Sequence, residues 1–308
     1  MSTTAKFKML FSALLVMALW GSLFPMVKVG YAAFSIPITS IPSIMIFAGL
    51  RFTVCGLVIV TFSCLKQKRI DLPKKRELFP IAMGALSAII LHYSFTYIGL
   101  ALGEGSKSAI IKQVGFLFLS CFAFLFDKND GFSTNKIVAG LLGFCGIIAT
   151  AFDGSAMSFA VGDALLLLAS ACSAISTLVA KRATQSLSPV KYTGYSQLAG
   201  GIFLLVLGWA LGGKIPHIDL GAIMSFLYIC SASIGAYVMW NSLLRTESIS
   251  KLSVIKFTEP LFAVIFSGLI LGEDIFKLSY LVALVLLLLA LLTENGVWKS
   301  IRKKENKK

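Results

Sequence analysis

Lys256-Phe257-Thr258-Glu259-Pro260 is the segment of the chain richest in chemistry. Lys256 and Glu259 stand three residues apart, on one face of a helix, where an ammonium and a carboxylate can pair. Pro260 has no N–H, so it kinks a helix and releases a carbonyl one turn back. Lys112 occupies the matching place 144 residues earlier. Arg51, His92, Tyr93, Tyr237, Trp240 and Asn241 lie inside long apolar runs, as does Trp20, which is followed by Gly21, Ser22 and Pro25. Together these groups are suited to binding: cations and a carboxylate for charge, aromatic walls, polar groups for orientation, and in His92 a proton carrier near neutral pH. No glycine-rich dinucleotide or Walker loop, zinc-protease or nucleophile-elbow motif occurs, so no catalytic residue, metal or cofactor is expected.

The elements that must position these groups are long and apolar. Of 308 residues, 57% are hydrophobic and 14% charged, against about 45–50% and about 25% in soluble domains; mean hydropathy is +0.87. A bilayer accommodates such a chain, because lipid takes the place of water around its apolar surface. Runs near the roughly 20 residues that cross a bilayer are Met9–Gly30, Ser43–Leu65, Leu78–Leu100, Ser108–Phe126, Lys136–Phe152, Ala160–Ala180, Tyr192–Leu211, Leu220–Leu244, Leu252–Leu271 and Leu278–Val297. The fold class expected is an all-α polytopic membrane protein of about ten transmembrane helices. The first run is expected to be a retained helix, since no small-x-small cleavage site follows it. All six cysteines lie in or beside apolar runs without metal spacing and are expected to be small packing residues.

Net charge is +14, but the bases cluster in short connections, as in membrane loops, which argues against nucleic acid as a partner. With both termini cytoplasmic, 21 of the 28 Lys and Arg lie inside, and only Lys107, Lys214 and Lys277 lie outside. The basic tail, 298–308, acts in this reading as a topology determinant.

Sliding the chain by 144 residues pairs the third-to-fifth runs with the eighth-to-tenth. It gives 18 identities in the 56 positions from 87 to 142, including Tyr93/Tyr237, Lys107/Lys251 and Lys112/Lys256. Five helices is an odd number, so the two copies enter the membrane in opposite senses. Such inverted repeats surround a central site in many secondary transporters. The units are residues 9–153 and 160–297.

Ionisable groups in hydrocarbon cost at least about 2.5–3.5 kcal/mol on insertion scales, so each requires a reason. Lys112 and Lys256 either snorkel to headgroups or form a cationic pair lining a central cavity, for carboxylate substrates or for gating. Arg51 suits a structural ion pair or a headgroup contact. Gly99/Gly103 and Gly208/Gly212 have the spacing of close helix contacts.

The chain resembles the EamA branch of the drug/metabolite transporter superfamily. The likeness rests on Trp20-Gly21-Ser22, Arg51-Phe52, Ala101-Leu102, Glu259-Pro260-Leu261 and Leu271-Gly272-Glu273 in their order and spacing. It implies a ten-helix carrier with a cavity lined mainly by the first, third, fourth, sixth, eighth and ninth helices, often an exporter of amino acids or related metabolites. Two departures stand in the first half: Gly115-Phe116 replaces a usual proline, and Asn129 stands where the second half has Glu273.

The expectation is a secondary transporter in the bacterial cytoplasmic membrane, exporting small organic metabolites by alternating access. Its partners are lipid, a small-molecule substrate and coupled protons or ions, and it acts as a monomer or homodimer. The alternatives are a hydrophobic-cation or multidrug exporter and a non-transporting receptor or scaffold. The substrate-lining candidates are Trp20, His92, Tyr93, Lys112, Gln113, Tyr237, Trp240, Asn241, Lys256 and Glu259; the hinge candidates are Pro25 and Pro260.

Overall fold

The computed structural model describes residues 3–103, 160–247, 249–256, 258–274 and 278–294, together with 108, 111, 112, 114, 115, 119, 134, 135, 138, 139, 141, 142, 145 and 149. Most of the fourth and fifth expected spans, with Gln113, Phe116 and Asn129, and the tail from 298 lie outside the described residues.

The described elements are all helical: α1 (Thr3–Ala33), α2 (Ile41–Gln67), α3 (Lys75–Gly84), a π-helical segment (Ala85–Leu91), α4 (His92–Ala101), α5 (Val161–Ser186), α6 (Pro189–Ala210), α7 (Leu220–Thr246), α8 (Ile249–Lys256), α9 (Glu259–Leu271) and α10 (Leu278–Glu294). Among the described residues, five stretches are long and apolar enough to cross a membrane: Phe7–Ala33, Ile41–Gln67, Lys75–Ala101, Val161–Ser186 and Leu220–Thr246. Most helices extend a few residues beyond their apolar runs, because side chains such as Lys66 can keep an apolar stem at the end of a span with the charge in water.

Two expected spans are irregular inside. The third contains the π segment, which resets the helical register just before His92. The ninth is divided into α8 and α9. Pro260, at the second position of α9, has no N–H to bond the Lys256 carbonyl, and a helix start tolerates that loss. Side-chain and backbone caps set other ends. Ser188 accepts from Lys191 N at 3.2 Å and Asp219 from Ala222 N at 2.7 Å. Gly272, at φ +66°, closes α9 in the left-handed conformation.

Contacts sort the helix ends into two groups. His217 N donates to Phe34 O, Lys214 N donates to Ser43 Oγ, and Lys28 meets Glu273. One end therefore holds the C-termini of α1, α6 and α9 and the N-termini of α2 and α7. The other holds the C-termini of α2, α5 and α7 and the N-termini of α3 and α6, joined through Lys191 to Asp71 and Lys181 to Glu247.

Polarity is inverted relative to a soluble domain. Phe79 and Trp209 are 75% and 74% exposed, whereas Arg51 is 1% exposed. Apolar surface directed outward with charge directed inward suits lipid as the surrounding solvent.

α2 packs most extensively on α6, α1 on α7 and α9, and α4 on α5. Gly49 and Gly56 of α2 and Gly194, Gly201 and Gly208 of α6 recur every seven residues along the α2–α6 seam. A Cβ at Gly201 would overlap the backbone of Phe52 and Thr53. Gly208 thus belongs to a seven-residue series; its expected mate, Gly212, faces open space. Gly201→Ala is expected to destabilise the protein by about 1–3 kcal/mol, as overpacking does in closely fitted cores, read as a lower Tm of the detergent-purified protein.

Cys55 and Cys230 are buried between α2 and α7, with Cys55 Sγ 3.5 Å from Cys230 O. Cys64 and Cys172 are half-buried. Cys145 is exposed, so packing does not account for it.

Candidate functional site

Gly21 lets α1 lie directly on the first turn of α9: a Cβ there would stand 2.6 Å from Phe262 Cβ and 3.1 Å from Glu259 O. Pro25, inside α1, withholds the N–H that would bond the Gly21 carbonyl. Trp20 is thereby held beside the α8–α9 break. Lys256 Nζ lies 3.8 Å from the centroid of the Trp20 ring, 5.2 Å from that of Trp240 and 2.9 Å from Glu259 Oε2. Ion pair and cation–π contacts together hold the ammonium in the interior, the latter worth about 2 kcal/mol where water is excluded.

Lys112 Nζ lies 5.1 Å from the centroid of the Phe24 ring and 6.0 Å from that of Tyr93. Both lysines therefore direct their charge against interior rings and not toward headgroups.

Arg51 approaches Tyr93 as well, with Cζ 5.3 Å from its centroid. Its Nε and Nη2 donate to Ser233 Oγ at 2.9 and 2.6 Å, and Nη1 donates to Tyr97 OH. No carboxylate meets Arg51 among the described residues. The expected ion pair is absent there, and burial excludes a headgroup contact. Tyr237 OH donates to Tyr93 OH at 2.7 Å, and the Tyr237 ring packs edge-on against Trp20 with centroids 5.5 Å apart. An aromatic string thus runs from the Arg51–Lys112 side to the Lys256 side.

These groups line one cavity, which gives the centre of a water molecule about 80 Å³ to occupy. One water needs about 10–15 Å³ on that measure, so a small solute with its hydration fits. Thr193 Oγ1 accepts from Asn241 Nδ2 at 2.8 Å, and His92 Nδ1 donates to Ala169 O at 2.8 Å. Both amide atoms of Gln197 and the Thr96 hydroxyl are buried with no hydrogen-bond partner among the described residues. An unsatisfied buried polar group costs about 1–3 kcal/mol, so this wall has bonding capacity to offer.

The ends of the bundle are tied. Lys28 Nζ lies 3.3 Å from Glu273 Oε1 at one end. Gly272 turns the chain after α9, which gives Leu271-Gly272-Glu273 a physical reading. At the other end Lys181 Nζ donates to Glu247 O at 2.6 Å, and Lys191 Nζ bridges Asp71 Oδ1 at 2.8 Å and Glu77 Oε2 at 2.9 Å.

The hydrogen bond from Lys191 holds the Asp71 carboxyl below the usual aspartate range. A native value below the unfolded one stabilises the fold fully above about pH 3.9, and the stabilisation fades as pH falls through the native value. Asp71→Asn is therefore expected to lower Tm slightly at pH 7. Its curve of Tm against pH should merge with that of the wild type at strongly acid pH.

Of the ten expected lining residues, Trp20, His92, Tyr93, Lys112, Tyr237, Trp240, Asn241, Lys256 and Glu259 line this cavity; Gln113 lies outside the described residues. Pro25 and Pro260 stand in the two helices that meet behind Trp20. Sequence reasoning missed Arg51, Tyr97, Tyr192, Thr193 and Gln197 as lining. The last three come from α6, whose polar first half was the available signal.

The profile of the EamA-like transporter family matches the chain twice, over residues 7–152 and 160–294. The chain is 28% identical over 282 residues to the uncharacterized transporter YvbV of Bacillus subtilis, covering 90% of this chain and 88% of that protein. It is 28% identical over 257 residues to a WAT1-related chloroplastic protein of Arabidopsis thaliana, covering 78% and 60%. A crystal structure shares the fold at TM-score 0.69 and 13% identity, with 97% of this chain and 99% of that one covered. On the two profile matches, which together span nearly the whole sequence, this chain belongs to the EamA-like transporter family of membrane proteins.

Proposed function

We infer that the protein is a secondary carrier of the bacterial cytoplasmic membrane, exporting small organic metabolites such as amino acids by alternating access. In this reading two inverted five-helix halves, residues 9–153 and 160–297, rock about the cavity, with both termini cytoplasmic and with Pro25 and Pro260 absorbing the bending. The observation that carries it is the Tyr93–Tyr237 contact. These residues are equivalent in the internal repeat, and they meet hydroxyl to hydroxyl at 2.7 Å in the cavity wall. A two-fold axis through a shared site brings equivalent residues together in this way.

A second pair of contacts supports it. Gly21 meets the α9 backbone at Glu259, and Gly115 meets α5 at Ser170; Gly115 and Glu259 are 144 residues apart. The ties at the two ends of the bundle are what an alternating carrier would break in turn. Export of hydrophobic cations would need an available carboxylate, and Glu259 is already neutralised by Lys256.

Uptake and efflux of a labelled metabolite panel in proteoliposomes, with and without a pH gradient, test transport and its direction. Cysteines placed at Lys107 and Lys251 should be labelled from opposite faces of the membrane; labelling from one face would overturn the inverted topology. Lys112→Met is expected to abolish transport while leaving membrane insertion intact. Full activity in that variant would remove Lys112 from the path.

A further inference from the structure

We propose that the substrate is a small organic acid carrying net negative charge, with an ionised carboxylate reaching the Lys112 ammonium and the remainder lying along the Trp20–Tyr237–Trp240 wall. The inference deepens the carrier reading and rests on it. The charged side chains of the described lining are Arg51, Lys112, Lys256 and Glu259, a formal balance of +2. Lys256 and Glu259 offset one another at 2.9 Å. Arg51 and Lys112 both approach the Tyr93 ring, and neither meets a carboxylate among the described residues.

Arg51 is 1% exposed and spends its donors on Ser233 and Tyr97. It therefore supplies positive potential from behind the wall. Lys112, half-buried, is the cation an entering carboxylate can touch. Two cations in one low-dielectric chamber repel each other, and an anionic solute relieves that repulsion. A cation would increase it, and a zwitterion would leave the net charge unchanged.

A second observation, independent of charge, points to a polar occupant. The amide of Gln197, 1% exposed and in the cavity lining, has neither donor nor acceptor satisfied among the described residues, and the Thr96 hydroxyl is likewise unpaired there. The aromatic wall of the same cavity favours an acid with an apolar or aromatic body over a compact inorganic anion.

The test uses the purified full chain in lipid nanodiscs with Trp209 and Trp298 replaced by Phe, and reads the fluorescence of Trp20 and Trp240. The probes are phenylsuccinate, its neutral diamide, phenylalanine and tetraphenylphosphonium. Saturable binding of phenylsuccinate at least about tenfold tighter than that of the diamide is expected, weakening with added salt as charge contacts do. Lys112→Gln should remove most of the preference of phenylsuccinate over the diamide, the remainder coming from Arg51, and should weaken phenylsuccinate far more than the diamide. Lys112→Arg should keep the preference, which separates loss of charge from loss of fold.

Equal or tighter binding of the diamide, phenylalanine or tetraphenylphosphonium overturns the proposal, as does absence of saturable phenylsuccinate binding. Counterflow in proteoliposomes separates the two claims. Binding of phenylsuccinate without movement of any probe keeps the charge assignment and removes the carrier reading. Movement of phenylalanine or tetraphenylphosphonium without phenylsuccinate keeps the carrier and removes the anion.

Discussion

Lys256→Met is expected to abolish transport and also to weaken the fold. The ammonium lies 2.9 Å from Glu259, whose side chain is 5% exposed. Removing one partner of a buried pair leaves an uncompensated charge, which costs about 3–5 kcal/mol. The rings of Trp20 and Trp240 also lose the cation they cover. Lys256→Met/Glu259→Leu removes both charges, and replacing a buried pair by apolar groups is often neutral or stabilising. The double variant should therefore recover Tm while remaining inactive. Tm of the purified protein and proteoliposome flux check both parts; wild-type flux in the single variant would take Lys256 out of the transport path.

The contrast with Lys112 follows from geometry. Lys112 has no acidic partner among the described residues, so its loss strands no charge. The two repeat-related lysines should thus share a transport phenotype and differ in stability. Sequence alone gives them equivalent positions; the difference comes from Glu259, whose counterpart in the first half is Gly115.

Much of the fold was legible because a bilayer span is a property of one segment. Length and apolarity suffice to place α1, α2, α5, α7 and the Lys75–Ala101 stretch. The residues around Trp20, Tyr93, Tyr237 and Lys256 were legible for a related reason: a polar or ionisable group inside such a segment requires a partner, and the interior supplies it.

What sequence could not show depends on neighbours. Nothing in Ala85–Leu91 announces π-helical geometry, because an extra residue per turn is a response to packing and not to composition. The seven-residue glycine series of α6 becomes meaningful only once α2 is seen against it. Tyr192, Thr193 and Gln197 were hidden because a polar half-helix resembles a span end unless the cavity beside it is known. The division of the ninth span was partly legible, since Pro260 marks a place where a helix can restart.

Arg51 is where the structure adds a transport role to the structural one that the sequence reading gives. A structural arginine should be costly to replace. Its burial costs at least about 2.5–3.5 kcal/mol on insertion scales. Against this stand hydrogen bonds to the hydroxyls of Ser233 and Tyr97, each worth about 1.5–3 kcal/mol for a charged donor. Three such bonds, two to Ser233 and one to Tyr97, sum to about 4.5–9 kcal/mol, so the guanidinium is a net stabiliser. Ser233 keeps its own acceptor, the Ile229 carbonyl, when the guanidinium is gone. Arg51→Met retains much of the apolar stem but leaves the buried Tyr97 hydroxyl without the guanidinium, and is expected to destabilise the fold by about 1–4 kcal/mol. Transport should also collapse, because the cavity loses half of its formal +2 balance. Arg51→Lys should restore only part of it, since an ammonium cannot reproduce the fork that engages both hydroxyls. A fall in Tm with flux per folded molecule unchanged would return Arg51 to the structural role that its sequence position suggests; lost flux per folded molecule places it in the transport mechanism.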